Sequence, residues 1–376
     1  MNISFPIIID NKTVGAIELS KDITNIDAVQ KKIMNIDYDI FKNQVKAENR
    51  LGTNKAKYTL DNIISNNQQI VDLKNQIRHL KNSDAPAFIY GETGTGKELF
   101  AHAIHNESNR CQGPFISQNC AAIPENLLES ILFGTVKGSF TGAIDAPGLF
   151  ELADNGTLFL DELNSMPKHL QSKMLRVLED GYIRRVGGKN EKKINVRIIS
   201  ASNQDPLELI RTGLLRRDIY YRLCVLYFAI PPLRKRNEDI IILIKFFISK
   251  FNQLYNKRIA KLSKELYRTL QNYDWPGNVR ELEHIIQFGL TQVGEDEEVL
   301  EYRHIASKLK MLKMNSVEKD ACLTNKPLKD IIQEIEENVI YEALKISGGN
   351  ISKASKLIEI PRQTFSRKMN QYGIGK

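Results

Sequence analysis

The chain has 376 residues, 42% of them hydrophobic, and a formal net charge of +8, which is length enough for two or three domains and a sizeable core. No unbroken apolar stretch is long enough to span a bilayer, and the N-terminus lacks the segments of a secretory leader, so neither membrane insertion nor export is expected. The four cysteines, Cys111, Cys120, Cys224 and Cys322, form no CxxC pair; this argues against a zinc or disulfide framework and suits a reducing cytoplasm.

In chain order, Phe5–Ile9 and Val14–Leu19 flank Asp10-Asn11-Lys12 and predict a hairpin. Ile26, Val29, Ile33, Ile36 and Ile40 recur at steps of three and four, a short seam suited to a dimeric signalling helix. Residues 42–57 are polar and read as a linker. Strands and helices then alternate, with strands expected at Ala87–Tyr90, Pro114–Asn119, Thr157–Leu160, Ile194–Ser200 and Val225–Ile230. That pattern predicts a parallel sheet covered by helices. Cys120 and Cys224 stand at strand ends, as small core residues do. A helical lid is expected from Asn237 to Lys308. Residues 312–326 carry no apolar period and read as a second linker, closed by Pro327.

Two motifs in the central block carry chemistry. Gly91-Glu92-Thr93-Gly94-Thr95-Gly96-Lys97-Glu98 is a glycine-rich loop whose backbone can turn tightly around phosphates ahead of a helix N-terminus. Lys97 supplies a charge for the β and γ phosphates. Glu98 stands where the general motif has Ser or Thr, which removes one magnesium ligand. The metal is then left to Asp161, phosphate oxygens and water. The apolar strand Leu158-Phe159-Leu160 delivers Asp161 and Glu162 to its end. Between the two motifs lies Gly138-Ser139-Phe140-Thr141-Gly142-Ala143, where two glycines leave an aromatic exposed at a tip.

The tail predicts three helices. Leu328, Ile331, Ile332, Ile335, Val339 and Leu344 mark an apolar face on the first. Gly348-Gly349 ends that region, and Asn350 caps a second helix lined by Ile351, Ala354 and Leu357. Pro361 opens a third, with Phe365 and Met369 inward. Arg362, Gln363, Thr364, Ser366, Arg367 and Lys368 stay outside, the pattern of a helix-turn-helix with a basic second helix for the major groove.

The order of these motifs resembles the bacterial enhancer-binding proteins, AAA+ ATPases that activate sigma-54 RNA polymerase. The family also has Glu after the loop lysine. It has Ala where Ser139 stands, Glu where Ile131 stands and His-Glu at Thr135-Val136. The resemblance implies an α/β fold: an AAA+ P-loop ATPase domain with a parallel sheet and helical lid, followed by an all-α Fis-type helix-turn-helix domain. It implies a domain plan of 1–24 as a PAS-like remnant, 25–57 as signalling helix and linker, 58–310 as the AAA+ domain, 311–327 as linker and 328–376 as the DNA-binding domain.

By the same resemblance ATP and Mg2+ bind at residues 91–98. Asp161 holds the metal, Glu162 polarises water, Asn119 restrains Glu162, and Asn203 senses the γ phosphate. Arg216 and Arg222 reach a neighbouring subunit's site, and Arg280 faces a phosphate from the lid. Residues 138–143 touch the sigma factor, helped by a basic loop from Arg184 to Lys193. The partners expected are sigma-54 RNA polymerase, upstream enhancer DNA and copies of the chain in a hexameric ring, all in the cytoplasm. Two competing readings are a repressor that does not engage sigma-54 and an ATP-driven unfoldase. The near-intact hexapeptide disfavours the first and the helix-turn-helix the second. In relatives Gly often occupies the turn position of Glu359, so a Glu there predicts a strained or altered turn.

Overall fold

The computed structural model describes residues 3–9, 12–19, 55–140, 143–294, 297–320, 332, 333, 336, 337, 339–341, 343, 344 and 347–374. The expected seam from Ile26 to Ile40, the linker at 42–54 and the positions of Thr141, Gly142, Cys322, Leu328, Ile331 and Ile335 lie outside them. The chain divides into two compact units, residues 1–305 and 306–376.

In the first unit, β1 (Ile3–Ile9) and β2 (Lys12–Leu19) pair antiparallel with an irregularity at Ile7/Ile8, giving the expected hairpin. The helix α1 (Gln68–His79) is capped by the Asn67 side chain, which accepts from Gln69 N–H. A sheet follows, built from β3 (Ala87–Tyr90), β4 (Phe115–Asn119), β7 (Thr157–Asp161), β10 (Arg197–Ser202) and β11 (Leu226–Ala229). Its order is β11-β3-β10-β7-β4 and every pairing is parallel. Two-residue strands β5 (Gly134–Thr135) and β6 (Ala146–Pro147) pair under the hexapeptide, and β8 (Tyr182–Arg184) pairs with β9 (Glu191–Lys193).

The strand side chains alternate between two cores, as a pleated strand requires. Phe88, Ile116, Leu158, Leu160 and Ile198 join one core. It also takes residues of α3 (Glu125–Phe133), α5 (Lys168–Asp180) and α7 (Arg217–Leu223). Ala87, Ile89, Phe115, Phe159, Ile199 and Ala201 join the other. There they meet α1 and α2 (Lys97–Asn106). Burial on both faces explains why these strands read as continuous apolar runs.

The strand expected at Ile194–Ser200 begins instead at Arg197 and ends at Ser202. Ile194 N–H bonds the Gly181 carbonyl, and the Asn195 carbonyl accepts from Asn155 N–H, so these residues are committed elsewhere.

The short helices α4 (Leu149–Leu152) and α6 (Pro206–Arg211) flank the sheet. The lid consists of α8 (Asn237–Tyr255), α9 (Lys264–Gln271) and α10 (Asn278–Gln292), beginning where expected. Strands β12 (Lys261–Leu262) and β13 (Val299–Leu300) brace it. Asp239, fully buried, accepts hydrogen bonds from Ser65 Oγ and from the N–H groups of Asn66 and Asn67, fixing α8 to the start of α1.

Helix α11 (Tyr302–Asp320) begins in the first unit and continues in the second through residues 312–320, which carry no apolar period and are expected from the sequence to be linker. Leu312, Lys313, Met314, Glu318 and Lys319 are good helix formers, so intrinsic preference favours the continuation without an apolar period.

In the second unit, α12 (Ile351–Leu357) is capped by Asn350, whose Oδ1 accepts from Ser352 and Lys353 N–H at 3.1 Å each. Then comes α13 (Arg362–Tyr372), with Phe365 and Met369 buried as expected. Two expectations fail here. Ile332 and Val339 are exposed; among the described residues Leu344 packs inward as expected, and Ile340 and Ala343 join it. Leu357 also faces out, because Ile358 packs on that core in its place. Glu359 adopts φ 54°, so the left-handed turn is kept despite the side chain.

Candidate nucleotide site and its loops

The loop leaves β3 at Gly91, whose N–H bonds the Ser202 carbonyl of the neighbouring strand. Gly94 and Gly96 take φ of 80° and 100°, and Gly96 leads directly into α2. Lys97 is buried, and its Nζ donates to the Gly91 and Glu92 carbonyls at 2.8 and 3.2 Å. Burial pulls its pKa below the ordinary lysine value, aided by the Arg280 charge, while Asp161 and Glu162 oppose the shift. Thr95 is buried and turns the loop through a bond from Oγ1 to the Glu92 carbonyl.

The parallel sheet aligns the remaining groups at one edge, because all five strands end on the same side. Asn119 pairs in register with Asp161. Asp161 Oδ1 accepts from Glu162 N–H at 2.9 Å. Glu162 adopts φ 51° and ψ 48°, a left-handed conformation uncommon for a non-glycine residue. Asn119 Oδ1 accepts from Ala121 N–H, so its carbonyl oxygen shapes the strand-end turn while the residue sits beside the acidic pair. Asn203, just beyond β10, has a buried Oδ1 with no partner among the described residues. Cys120, behind the acids, is buried; burial, then the charges of Asp161 and Glu162, push its thiol up to about 12 and leave it inert as a nucleophile.

Glu98 is exposed at the start of α2, with His102 Nε2 3.8 Å from its Oε1. His102 Nδ1 accepts from Lys57 N–H, which fixes the ring and leaves Nε2 turned to Glu98. The lid closes over the loop through backbone contacts. Gly94 O accepts from Val279 N–H at 3.0 Å and from Arg280 N–H at 3.3 Å. A Cβ on Gly94 would lie 2.2 Å from the Gly277 carbonyl, so only glycine permits this approach. Arg280 itself is exposed in the first turn of α10.

Trp275, just ahead of that helix, is fully buried at φ 53°, with Nε1 donating to the Leu270 carbonyl. A cavity of about 340 Å3 lies between loop and lid, lined by Tyr58, Ile63, Leu99, Leu243 and Phe247 among others. No local motif marked these apolar residues, since they come from three separate stretches.

Glu92, although part of the loop motif, directs its carboxylate to Arg234 at 2.5 and 2.8 Å and to Asn278 Nδ2 at 3.2 Å. Asn278 is fully buried, and its side chain also bonds Leu233 N–H and the Thr93 carbonyl. The sequence marked Asn278 only as part of a helix start.

Within the hexapeptide, Gly138 has φ 86°, Phe140 is 44% exposed, and Ala143 N–H returns to the Phe140 carbonyl. Ser139 Oγ is buried with no partner among the described residues. The loop is tied to the basic hairpin: Val136 N–H bonds the Val186 carbonyl, and Val186 N–H bonds the Gly134 carbonyl. Gly187 lies so close that a Cβ there would be 2.4 Å from that of Ser139. Glu151, buried in α4, accepts from Arg185 at 2.6 and 2.9 Å and from Lys192 at 3.1 Å. Burial raises the Glu151 carboxyl, but the hydrogen bonds and charges of Arg185 and Lys192 outweigh it and hold the group below its ordinary value.

The chain matches the Sigma-54 interaction domain over residues 63–229, the AAA+ ATPase lid domain over 234–321 and the Fis-family bacterial regulatory protein domain over 331–372. It is 40% identical to the transcriptional activator RocR of Bacillus subtilis (strain 168) over 376 residues, covering 99% of this chain and 78% of RocR. The chain belongs to the sigma-54-dependent transcriptional activators.

The regulatory protein AtoC of Escherichia coli (strain K12) is 38% identical over 314 residues, covering 83% of this chain and 68% of AtoC. The chain spans 54% of the signal-transduction and transcriptional-control protein of Clostridium beijerinckii, at 41% identity over 94% of its own length. Among solved structures, NtrX from Brucella abortus in complex with ATP superposes with a TM-score of 0.61 at 28% identity, covering 92% of this chain and 76% of NtrX. The α/β AAA+ domain, helical lid and helix-turn-helix expected from the sequence are those of this activator family.

In this activator, Arg216 and Arg222 are both exposed. Arg216 pairs with Asp218 at 3.0 and 2.6 Å and bonds Ser172 Oγ. Arg222 lies 3.9 Å from Glu179. Neither shows a hydrogen bond to the loop of its own chain among the described residues.

In the helix-turn-helix, Arg362, Gln363 and Arg367 are exposed, and Thr364, Ser366 and Lys368 are half-buried. Lys368 Nζ donates to Glu336, which also accepts from Tyr372 OH, so this cation is engaged within its own unit. Among the described residues no helix is long and apolar enough to cross a membrane.

Proposed function

We propose that this activator hydrolyses ATP at the sheet edge and spends the energy on moving the hexapeptide against sigma-54. The gathering of Lys97, Asp161, Glu162 and Asn203 on one edge of a parallel sheet carries the reading. Lys97 and the loop amides bind the phosphates. The apolar cavity between Ile63, Leu99 and Phe247 has the character of a purine site. Glu162 orients and polarises the attacking water, held in a strained backbone conformation that points it off the strand. Asn203, whose buried carbonyl oxygen lacks a partner, is placed to read the terminal phosphate through water or the substrate itself.

The donor set fits Mg2+ only in part. Asp161 is the protein ligand proposed, and no cluster of three metal-ligating side chains occurs among the described residues, so phosphate oxygens and water complete the shell. The bound metal neutralises charge on the phosphates. Arg216 and Arg222 act on a neighbouring copy's phosphates, in a hexameric ring. Arg362, Gln363 and Arg367 contact enhancer DNA, and the borders 58–310 and 328–376 delimit the two working domains.

Phe140 and Thr141 form the contact with sigma-54. The hairpin at Arg184–Lys193 carries the loop with it, because its Val186 shares backbone hydrogen bonds with Gly134 and Val136 at the foot of the loop. In the test, Thr141→Ala is expected to abolish activation of a sigma-54-dependent reporter while ATPase activity stays within about twofold, since Thr141 is remote in role from the acid pair. Loss of both activities together, or of neither, would refute this division of labour.

A further inference from the structure

Glu92 poses a puzzle: a carboxylate inside a loop built to hold phosphates adds repulsion where attraction is needed. Its geometry resolves it. One oxygen accepts from Arg234 Nη2, the other from Arg234 Nη1 and from Asn278 Nδ2. Arg234 belongs to the turn that joins β11 to the lid, and Asn278 is the first residue of α10. Asn278 closes the circuit by accepting from Leu233 N–H at 2.7 Å and donating to the Thr93 carbonyl at 3.0 Å. Asn278 sits at φ 52°, a left-handed conformation that asparagine adopts more readily than most non-glycine residues. Loop, joint and lid thus meet on one carboxylate and one amide, beside the Gly94 carbonyl that receives Val279 and Arg280.

We infer that Glu92, Arg234 and Asn278 are positioning residues, a latch through which the lid sets the shape of the phosphate loop, and that Glu92 does not itself touch the nucleotide. The inference rests on the nucleotide-binding reading above. A fork of two parallel hydrogen bonds fixes direction as well as distance. Its half-exposed setting limits its strength, so breaking it should weaken nucleotide binding several-fold rather than abolish it.

The test uses the full chain, a fluorescent ATP analogue for equilibrium binding, and steady-state hydrolysis. Glu92→Gln is expected to weaken analogue binding and raise KM by about fivefold, with kcat within about twofold, as loss of uniform binding does. Arg234→Glu should do at least as much by repulsion. The exchange E92R/R234E should restore both to within about twofold of the parent. Arg234 is 42% exposed, so the variants at that position keep the fold testable.

Parent-like binding by Glu92→Gln, or an exchange no better than the single changes, would overturn the latch. So would tighter binding by Glu92→Arg alone, the mark of a side chain facing phosphate. A parent that binds the analogue but hydrolyses nothing would sink the ATPase reading and leave the latch judged by binding. A parent that binds no analogue would overturn both.

Discussion

Glu162 holds φ 51° at the end of β7, and the cost, on the order of 1 kcal/mol, marks a residue kept for its direction and not for its packing. Glu162→Gln retains size and hydrogen-bonding capacity but cannot accept the water's proton. Nucleotide binding should persist while kcat falls by about 10²- to 10⁴-fold, measured by analogue binding beside phosphate release. Retained hydrolysis would move the base to another group. The acidic pair was readable from sequence because an apolar strand ending in Asp-Glu is a local pattern. The partners of Glu92 were not readable in the same way: it stands inside the phosphate motif, but they lie 142 and 186 residues away. Nothing local in Glu92-Thr93-Gly94 signals an arginine or an asparagine that distant.

At the scale of elements, the turn between α12 and α13 keeps its left-handed geometry with Glu359 at φ 54°. Glu359→Gly should remove that strain and stabilise the helix-turn-helix by about 1 kcal/mol, read as slower amide hydrogen exchange in α12 and α13. Unchanged or faster exchange would show the strain to be absorbed elsewhere. Strand positions were legible because each strand is buried on both faces and reads as an apolar run. The slip at β10 came from Ile194, apolar but bonded back to Gly181. The slip between Val339 and Ile340 has a similar origin. Adjacent β-branched residues on a helix both fit an apolar pattern, and only packing against Phe365 and Ala354 decides which turns inward. The apolar cavity beside the loop was invisible for a different reason: Tyr58, Ile63, Leu99 and Phe247 share no period.

For the molecule as a whole, the exposure of Arg216 and Arg222 bears on assembly. An arginine that completes another copy's site makes catalysis depend on concentration. Specific ATPase activity should therefore rise as the protein is concentrated. Arg222→Ala should lose activity by about 10³-fold or more and show no such rise, while its own nucleotide binding persists. Activity independent of concentration in the parent would argue that each chain works alone. The order of motifs, loop then hexapeptide then acid pair then helix-turn-helix, was enough to recognise the family. How the halves of the site are held together was not, since hydrogen bonds between distant backbone groups leave no compositional trace.

The chain contains a single tryptophan, and it is Trp275, sealed in the turn whose next residues press on Gly94 and cap α10. Its indole is a native optical reporter, with no competing emitter of its kind anywhere in the polypeptide. Any rearrangement of that corner when nucleotide is added would register as a shift or quench of intrinsic fluorescence. The timing of closure could then be followed by stopped flow on unlabelled protein.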